Sequence, residues 1–266
     1  MNYQLFKHSD ENASYVVFSS GLGGHGSFWQ AQLDVFRQYF HVLIYDQEGC
    51  HASSELLADG YSFEHLALQV KQLLQQLNIV RFHFIGHALG GFIGIELAHR
   101  YASETCQLLS LTLINAWQQL DPHTLRCFTT RIALLQHAGT AAYLHAQALF
   151  LYPPLWISEH TALLEQQEAK MQSDFPPHAN VLKRLNALMQ YQVNTARIDT
   201  LKQLPVCLIA NQDDMLVPYV QSLNLWKKLP DAQLKLLPYG GHASTVTEAR
   251  QVNQLMLDFL KTSAPT

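Results

Sequence analysis

Charge is scarce in this chain: 14% of its 266 residues are Asp, Glu, Lys or Arg, and the net charge is -4. No cluster of Lys and Arg builds the basic face that nucleic acid requires, so no nucleic-acid partner is expected. No run approaches the ~18 apolar residues of a membrane span. The N-terminal M-N-Y-Q-L-F-K-H-S-D also lacks the charged and apolar regions of a secretory signal. Four cysteines, Cys50, Cys106, Cys127 and Cys207, are too scattered for a C-x-x-C pair; isolated thiols in a reducing, cytoplasmic compartment are the expectation. The phosphate-cradling G-x-x-x-x-G-K-[ST] pattern is missing too, and no cofactor or metal is expected. What is present is 48% hydrophobic and 11% aromatic, enough to fill the core of one large α/β domain, or of one domain with an insertion.

The most telling absence is a single hydroxyl. Residues Phe82–Gly91 read F-H-F-I-G-H-A-L-G-G, a short apolar strand, a glycine-flanked turn and a helix start. That is the frame of the G-x-S-x-G nucleophile elbow, in which a strained strand-to-helix turn lifts a serine oxygen above an α/β sheet. Here the serine slot holds Ala88, whose methyl cannot attack a substrate.

Apolar runs spaced for βαβ units surround this turn: Tyr15–Ser20, His41–Tyr45, Phe82–Ile85, Leu108–Ile114, Val206–Ala210 and Gln233–Leu237. They are nearly continuous in apolar residues, as strands covered on both faces tend to be. Phe63, Leu66, Val70, Leu73, Leu74 and Leu77 form a helical stripe that Ser62 would cap. Val252, Leu255, Met256 and Phe259 mark a last amphipathic helix. Between Ala116 and Pro205 lie 90 residues with helical patterns at Thr124–His137 and Val181–Met189, far more than a βα crossover needs. The expectation is a doubly wound, mostly parallel α/β-hydrolase sheet with a helical cap, residues 116–205, inserted after the sixth strand, between core segments 1–115 and 206–266.

In that fold the chain order is nucleophile, acid, histidine. The acid falls in A-N-Q-D-D-M-L-V-P, where Asp214 is favoured over Asp213 by its spacing to Pro218. The histidine is His242, in L-P-Y-G-G-H-A-S after the last strand. His87, beside the vacant slot, reads as a filler of the elbow because a neighbour there projects in another direction. The oxyanion donors would be the backbone amides of Leu89, after the slot, and Leu22, in the glycine-rich S-G-L-G-G-H-G loop. A histidine oriented by aspartate can activate water directly, so the missing serine excludes an acyl-enzyme at position 88 without emptying the site of chemistry.

With these residues in place the chain resembles the α/β-hydrolases of the bacterial Rut pyrimidine-utilisation pathway, carbamate or aminoacrylate hydrolases. The motifs are S-G-L-G-G-H-G-S-F-W (20–29), Y-D-Q-E-G (45–49), G-H-A-L-G (86–90), H-T-L-R-C-F (123–128), L-F-L-Y-P (149–153), L-K-R-L-N-A-L (182–188), D-D-M-L-V-P (213–218) and P-Y-G-G-H-A (238–243). Those in the cap region carry the most weight, because elbow and loops are shared by a vast superfamily. The resemblance implies that Ala88 is natural, and that the substrate is a small C–N compound from uracil or thymine breakdown. Such substrates are small anions, so Arg126 and Arg184, with Asn186, Tyr152 and Tyr239 as polar partners, are candidate binding residues; Trp117 and Phe128 read as pocket wall or core. The chain is expected to act as a monomer or homodimer away from membranes. Two other readings stand beside hydrolysis: a binding protein of the same pathway without turnover, and serine-free lyase or oxygenase chemistry on the same fold.

Overall fold

The computed structural model describes residues 1–263. Among them seven strands form one sheet: β1 (Tyr3–Phe6), β2 (Tyr15–Ser19), β3 (His41–Tyr45), β4 (Arg81–His87), β5 (Gln107–Ile114), β6 (Val206–Asn211) and β7 (Gln233–Leu237). Their spatial order is β1-β3-β2-β4-β5-β6-β7, with β1 antiparallel to β3 and every other pairing parallel. The chain runs outward from β2 to β3, then returns across β2 to β4. This makes the β2/β4 boundary a topological switch point, where open α/β sheets leave a crevice at the carboxyl ends of their strands. The register there pairs Ser19 with Gly86, so the loops that follow β2 and β4 leave the sheet side by side.

Helices cover both faces because the central strands are apolar on both. On one face α1 (Gln30–Phe36) and the C-terminal α12 (Ala249–Ser263) enclose Phe18, Trp29, Phe36, Ile85 and Met256. On the other, α2 (Phe63–Gln76) and α3 (Leu89–Tyr101) bury Val70, Leu74, Phe84, Phe92 and Ile93. Ser62 caps α2 as its stripe predicts, its hydroxyl accepting from the His65 amide at 3.3 Å.

Between β5 and β6 lie six helices: α4 (Pro122–His137), α5 (Gly139–Leu151), α6 (Pro154–Glu159), α7 (Thr161–Ser173), α8 (His178–Gln190) and α9 (Thr195–Leu201). The insertion therefore follows the fifth strand in chain order and not the sixth, because a single strand, β1, precedes the parallel set. Asp121 opens α4 by accepting from the Thr124 amide at 2.7 Å, with Pro122 in the first turn where its missing N–H costs nothing. The insertion shares the main core through Trp117, Phe128, Leu144, Leu185 and Leu188. After β6 and β7 come α10 (Tyr219–Trp226) and α11 (Ser244–Thr247). No helix among the described residues is long and apolar enough to cross a membrane.

Candidate active site

The turn from β4 into α3 has the shape its glycines predict. Ala88 sits at φ 47°, ψ -112°, outside the regions an L-residue favours, a strain of about 1–3 kcal/mol that surrounding structure must hold. Two backbone bonds hold it: the Ala88 amide donates to the Ile114 carbonyl (2.8 Å) and its carbonyl accepts from the Gly91 amide (2.9 Å). A Cβ at Gly90 would collide with the Ser19 carbonyl, so only glycine lets the elbow pack this close to the end of β2.

His242 and Asp214 meet at 2.8 Å, Nδ1 to Oδ2, both buried. The other Asp214 oxygen accepts from the amides of Leu216 (2.8 Å) and Val217 (2.9 Å), which fixes the carboxylate before it meets the ring. Asp213 does a different job: its two oxygens accept from Gly240 (3.1 Å) and Gly241 (2.9 Å), tying down the loop that carries His242. At Gly241, φ is 65° and a Cβ would press on the Leu151 carbonyl. That carbonyl also accepts from the Ala243 amide at 3.0 Å, so the end of α5 rests directly on the histidine loop.

The His242 carbonyl accepts from His87 Nε2 (2.8 Å) and from Asn115 Nδ2 (2.7 Å). His87 is thus an anchor within the elbow. Burial, reinforced by the neighbouring His242 ring 4.8 Å away, pushes its pKa down to about 3, so its imidazole stays neutral. Among the described residues the Leu22 and Leu89 amides donate to no protein acceptor, and Ala88 is only 7% exposed. The arrangement offers an oriented base, two unpaired amides and a methyl where the fold's nucleophile stands.

Comparison with known proteins gives the family. A family model described as the alpha/beta hydrolase fold matches residues 15–249. A protein of Stutzerimonas stutzeri named "Putative carbamate hydrolase RutD" is 44% identical over 262 residues, 98% of this chain and 96% of its own length. One of the same name from Pantoea ananatis is 41% identical over 99% of this chain and 94% of its own. This chain is a RutD-family α/β-hydrolase. Among solved structures, an enol-lactonase from Burkholderia xenovorans superposes with a TM-score of 0.84 at 23% identity, over 98% of this chain and 96% of its own. An esterase from Thermogutta terrifontis does so at 0.80 and 17% identity, over 99% and 94%. At such identities these two show the shared fold alone.

Within this RutD-family site the expected substrate contacts fall differently from their sequence reading. Arg184, on α8, is 1% exposed and turned toward backbone. Its Nε and Nη2 donate to the Leu22 carbonyl (3.1 and 2.9 Å), Nη1 to the Glu48 carbonyl (2.9 Å), and Nη2 to Gln47 Oε1 (2.6 Å). It clamps the glycine-rich loop after β2, with its donors taken up by these protein acceptors. Gln47 completes the clamp by donating to the Ser20 carbonyl at 2.6 Å. Arg126, Asn186 and Tyr239 are exposed, and their side chains make no hydrogen bond among the described residues. Tyr152 stacks on Trp156 at 4.5 Å in a small satellite core. The pattern had no means of finding Gln47, Asn115 or Asp213 as supports, because each acts through a backbone group far away in sequence.

Proposed function

We propose that the protein hydrolyses a small, labile C–N substrate, carbamate or an aminoacrylate released in pyrimidine breakdown, with water as the nucleophile. The observation that carries the reading is the complete His242–Asp214 pair beside an elbow whose side chain is a single methyl. Asp214 holds the Nδ1 proton and leaves Nε2 to act as the base, the division of labour of a hydrolytic triad. Water stands where a serine hydroxyl would, and gives its proton to Nε2 as its oxygen bonds to carbon. Charge developing on the substrate oxygen is met by the Leu22 and Leu89 amides. The C–N bond then breaks and the amine leaves with the proton from His242; for carbamate, the anion and one water become bicarbonate and ammonia. The names borne by the 41–44% identical relatives support the substrate class.

Ammonia release by the purified protein, measured against the spontaneous rate, tests this. Excess turnover is expected, and His242→Ala and Asp214→Asn should each lower it by about 10²–10⁴-fold, the usual contribution of general acid–base catalysis. Unchanged turnover in both variants would refute the mechanism. The vacant slot at Ala88 favours a second reading, binding without turnover, for which the signature is saturable substrate affinity with ammonia release at the spontaneous rate.

A further inference from the structure

Apart from the His242–Asp214 pair, metal-ligating side chains gather where the loop after β2 meets the loop after β3. His25 Nδ1 lies 4.0 Å from Cys50 Sγ, and one ligand atom each from His25, Cys50 and His51 fall within 4.8 Å of one another. The two imidazoles stand edge to face, centroids 4.7 Å apart. Two carboxylates adjoin them: His51 Nε2 is 3.0 Å from Asp46 Oδ2, and its Nδ1 is 2.8 Å from Asp174 Oδ2. Both carboxylates are pre-aimed by backbone, Asp46 Oδ1 accepting from the Gly26 amide (2.8 Å) and Asp174 Oδ1 from the Ala52 amide (2.9 Å).

We propose that His25, Cys50 and His51 bind a zinc-class divalent ion, with a carboxylate of Asp46 or Asp174 as fourth ligand. Two imidazoles, one thiolate and one carboxylate are a borderline-soft, four-coordinate set suited to Zn(II). Tetrahedral zinc brings sulfur and nitrogen ligands to roughly 3.5 Å apart, so the observed separations need only a small inward turn of the side chains. Whichever ring nitrogen of His51 turns to the ion, the other keeps its carboxylate. That is the outer partner which orients metal-bound histidines, and the displaced carboxylate stands ready to ligate. Binding releases the Cys50 thiol proton to solvent, and the ring proton that His51 retains sits on its non-ligating nitrogen toward a carboxylate; no electrons move. Entry is open, because Asp46 and His51 border a surface cleft of about 540 Å³. His25 follows Leu22 by three residues, so the ion would pin the oxyanion loop to the β3 loop and, through Asp174, to the end of α7. This inference stands independently of any hydrolytic activity.

Tag-free protein stripped with chelator and titrated with Co(II), then Zn(II), decides it. The expectation is one equivalent of Co(II) with a thiolate charge-transfer band, its displacement by Zn(II), and a melting temperature that rises with zinc. Cys50→Ser should abolish the band. It and His25→Ala should each weaken Zn(II) binding by more than the about 10–100-fold expected for Asp174→Asn as an outer partner. Apo Cys50→Ser is checked for folding by circular dichroism, and the half-buried His25 provides a variant free of that risk. Absence of the thiolate band, or zinc affinity in His25→Ala equal to that of the native chain, would overturn the proposal.

Discussion

Replacing Arg184 with Met keeps the length and apolar stem of the side chain while deleting every donor. Four hydrogen bonds disappear, and three acceptors, the part-buried Leu22 and Glu48 carbonyls and the buried Gln47 Oε1, lose their partner. At about 1–3 kcal/mol for each unsatisfied group the gross loss is roughly 3–9 kcal/mol. Against it stands the relief of no longer burying a guanidinium that meets no carboxylate, a penalty of several kcal/mol. A net loss of about 3 kcal/mol follows, or a melting temperature lower by roughly 6–12 °C at the 2–4 °C per kcal/mol usual for a chain of this size. The second consequence is local. The Leu22 amide is the proposed oxyanion donor, so losing the clamp on the carbonyl of the same residue should misdirect it and forfeit part of one oxyanion donor's worth, which is about 10²–10³ in kcat. Calorimetry reads the first effect; ammonia release and amide exchange across Ser20–Gly26 read the second. A melting temperature within about 1 °C of the native value, with unaltered exchange in that loop, would refute the clamp.

Three further outcomes follow from the same contacts. Glu96 is fully buried on α3 and accepts from Tyr191 Oη (2.8 Å), Arg100 Nε (2.8 Å) and Arg197. Glu96→Ala should therefore cost about 3–5 kcal/mol as a broken buried pair, read by urea unfolding. Asp213→Ala removes the acceptor for two loop amides and should slow turnover by loosening His242, with Asp213→Asn recovering part of the rate. His87 and His83 are held by burial at about 3 and about 4, below the ordinary 6.5. The unfolded chain takes up these protons first, so stability is complete above pH 6.5 and falls as pH drops through that value. The slope is up to about 1.4 kcal/mol per pH unit for each histidine. Urea midpoints at pH 7 and pH 5 should differ accordingly, and His83→Gln should flatten the dependence.

The parallel strands were readable because burial on both faces writes nearly continuous apolar runs into β3, β4, β5 and β6, and the Ala88, Asp214, His242 order carries the fold's signature along the chain. β1 escaped because Tyr3–Phe6 is four residues long and half exposed, at an edge, where no run builds up. Spacing to Pro218 favours Asp214 over its neighbour, but the separate task of Asp213 needed three dimensions. Only the backbone shows that one carboxylate faces the imidazole while the other faces the glycines. Arg184 shows the same limit from the other side. A cation in a cap motif looks alike whether it awaits an anion or saturates carbonyls, and the difference lies in Leu22 and Glu48, more than a hundred residues upstream.

The inserted helices contribute neither His242 nor Asp214, yet they grip both loops on which the proposed chemistry depends: α8 through Arg184 on the Leu22 carbonyl, and the end of α5 through the Leu151 carbonyl on Ala243. The insertion therefore behaves as a jig and not as a lid. Lifting it would slacken the His242 loop and the Leu22 loop together. Exchanging α4–α8 for the equivalent segment of another hydrolase would keep both loops in place only if its anchoring arginine and carbonyl came along.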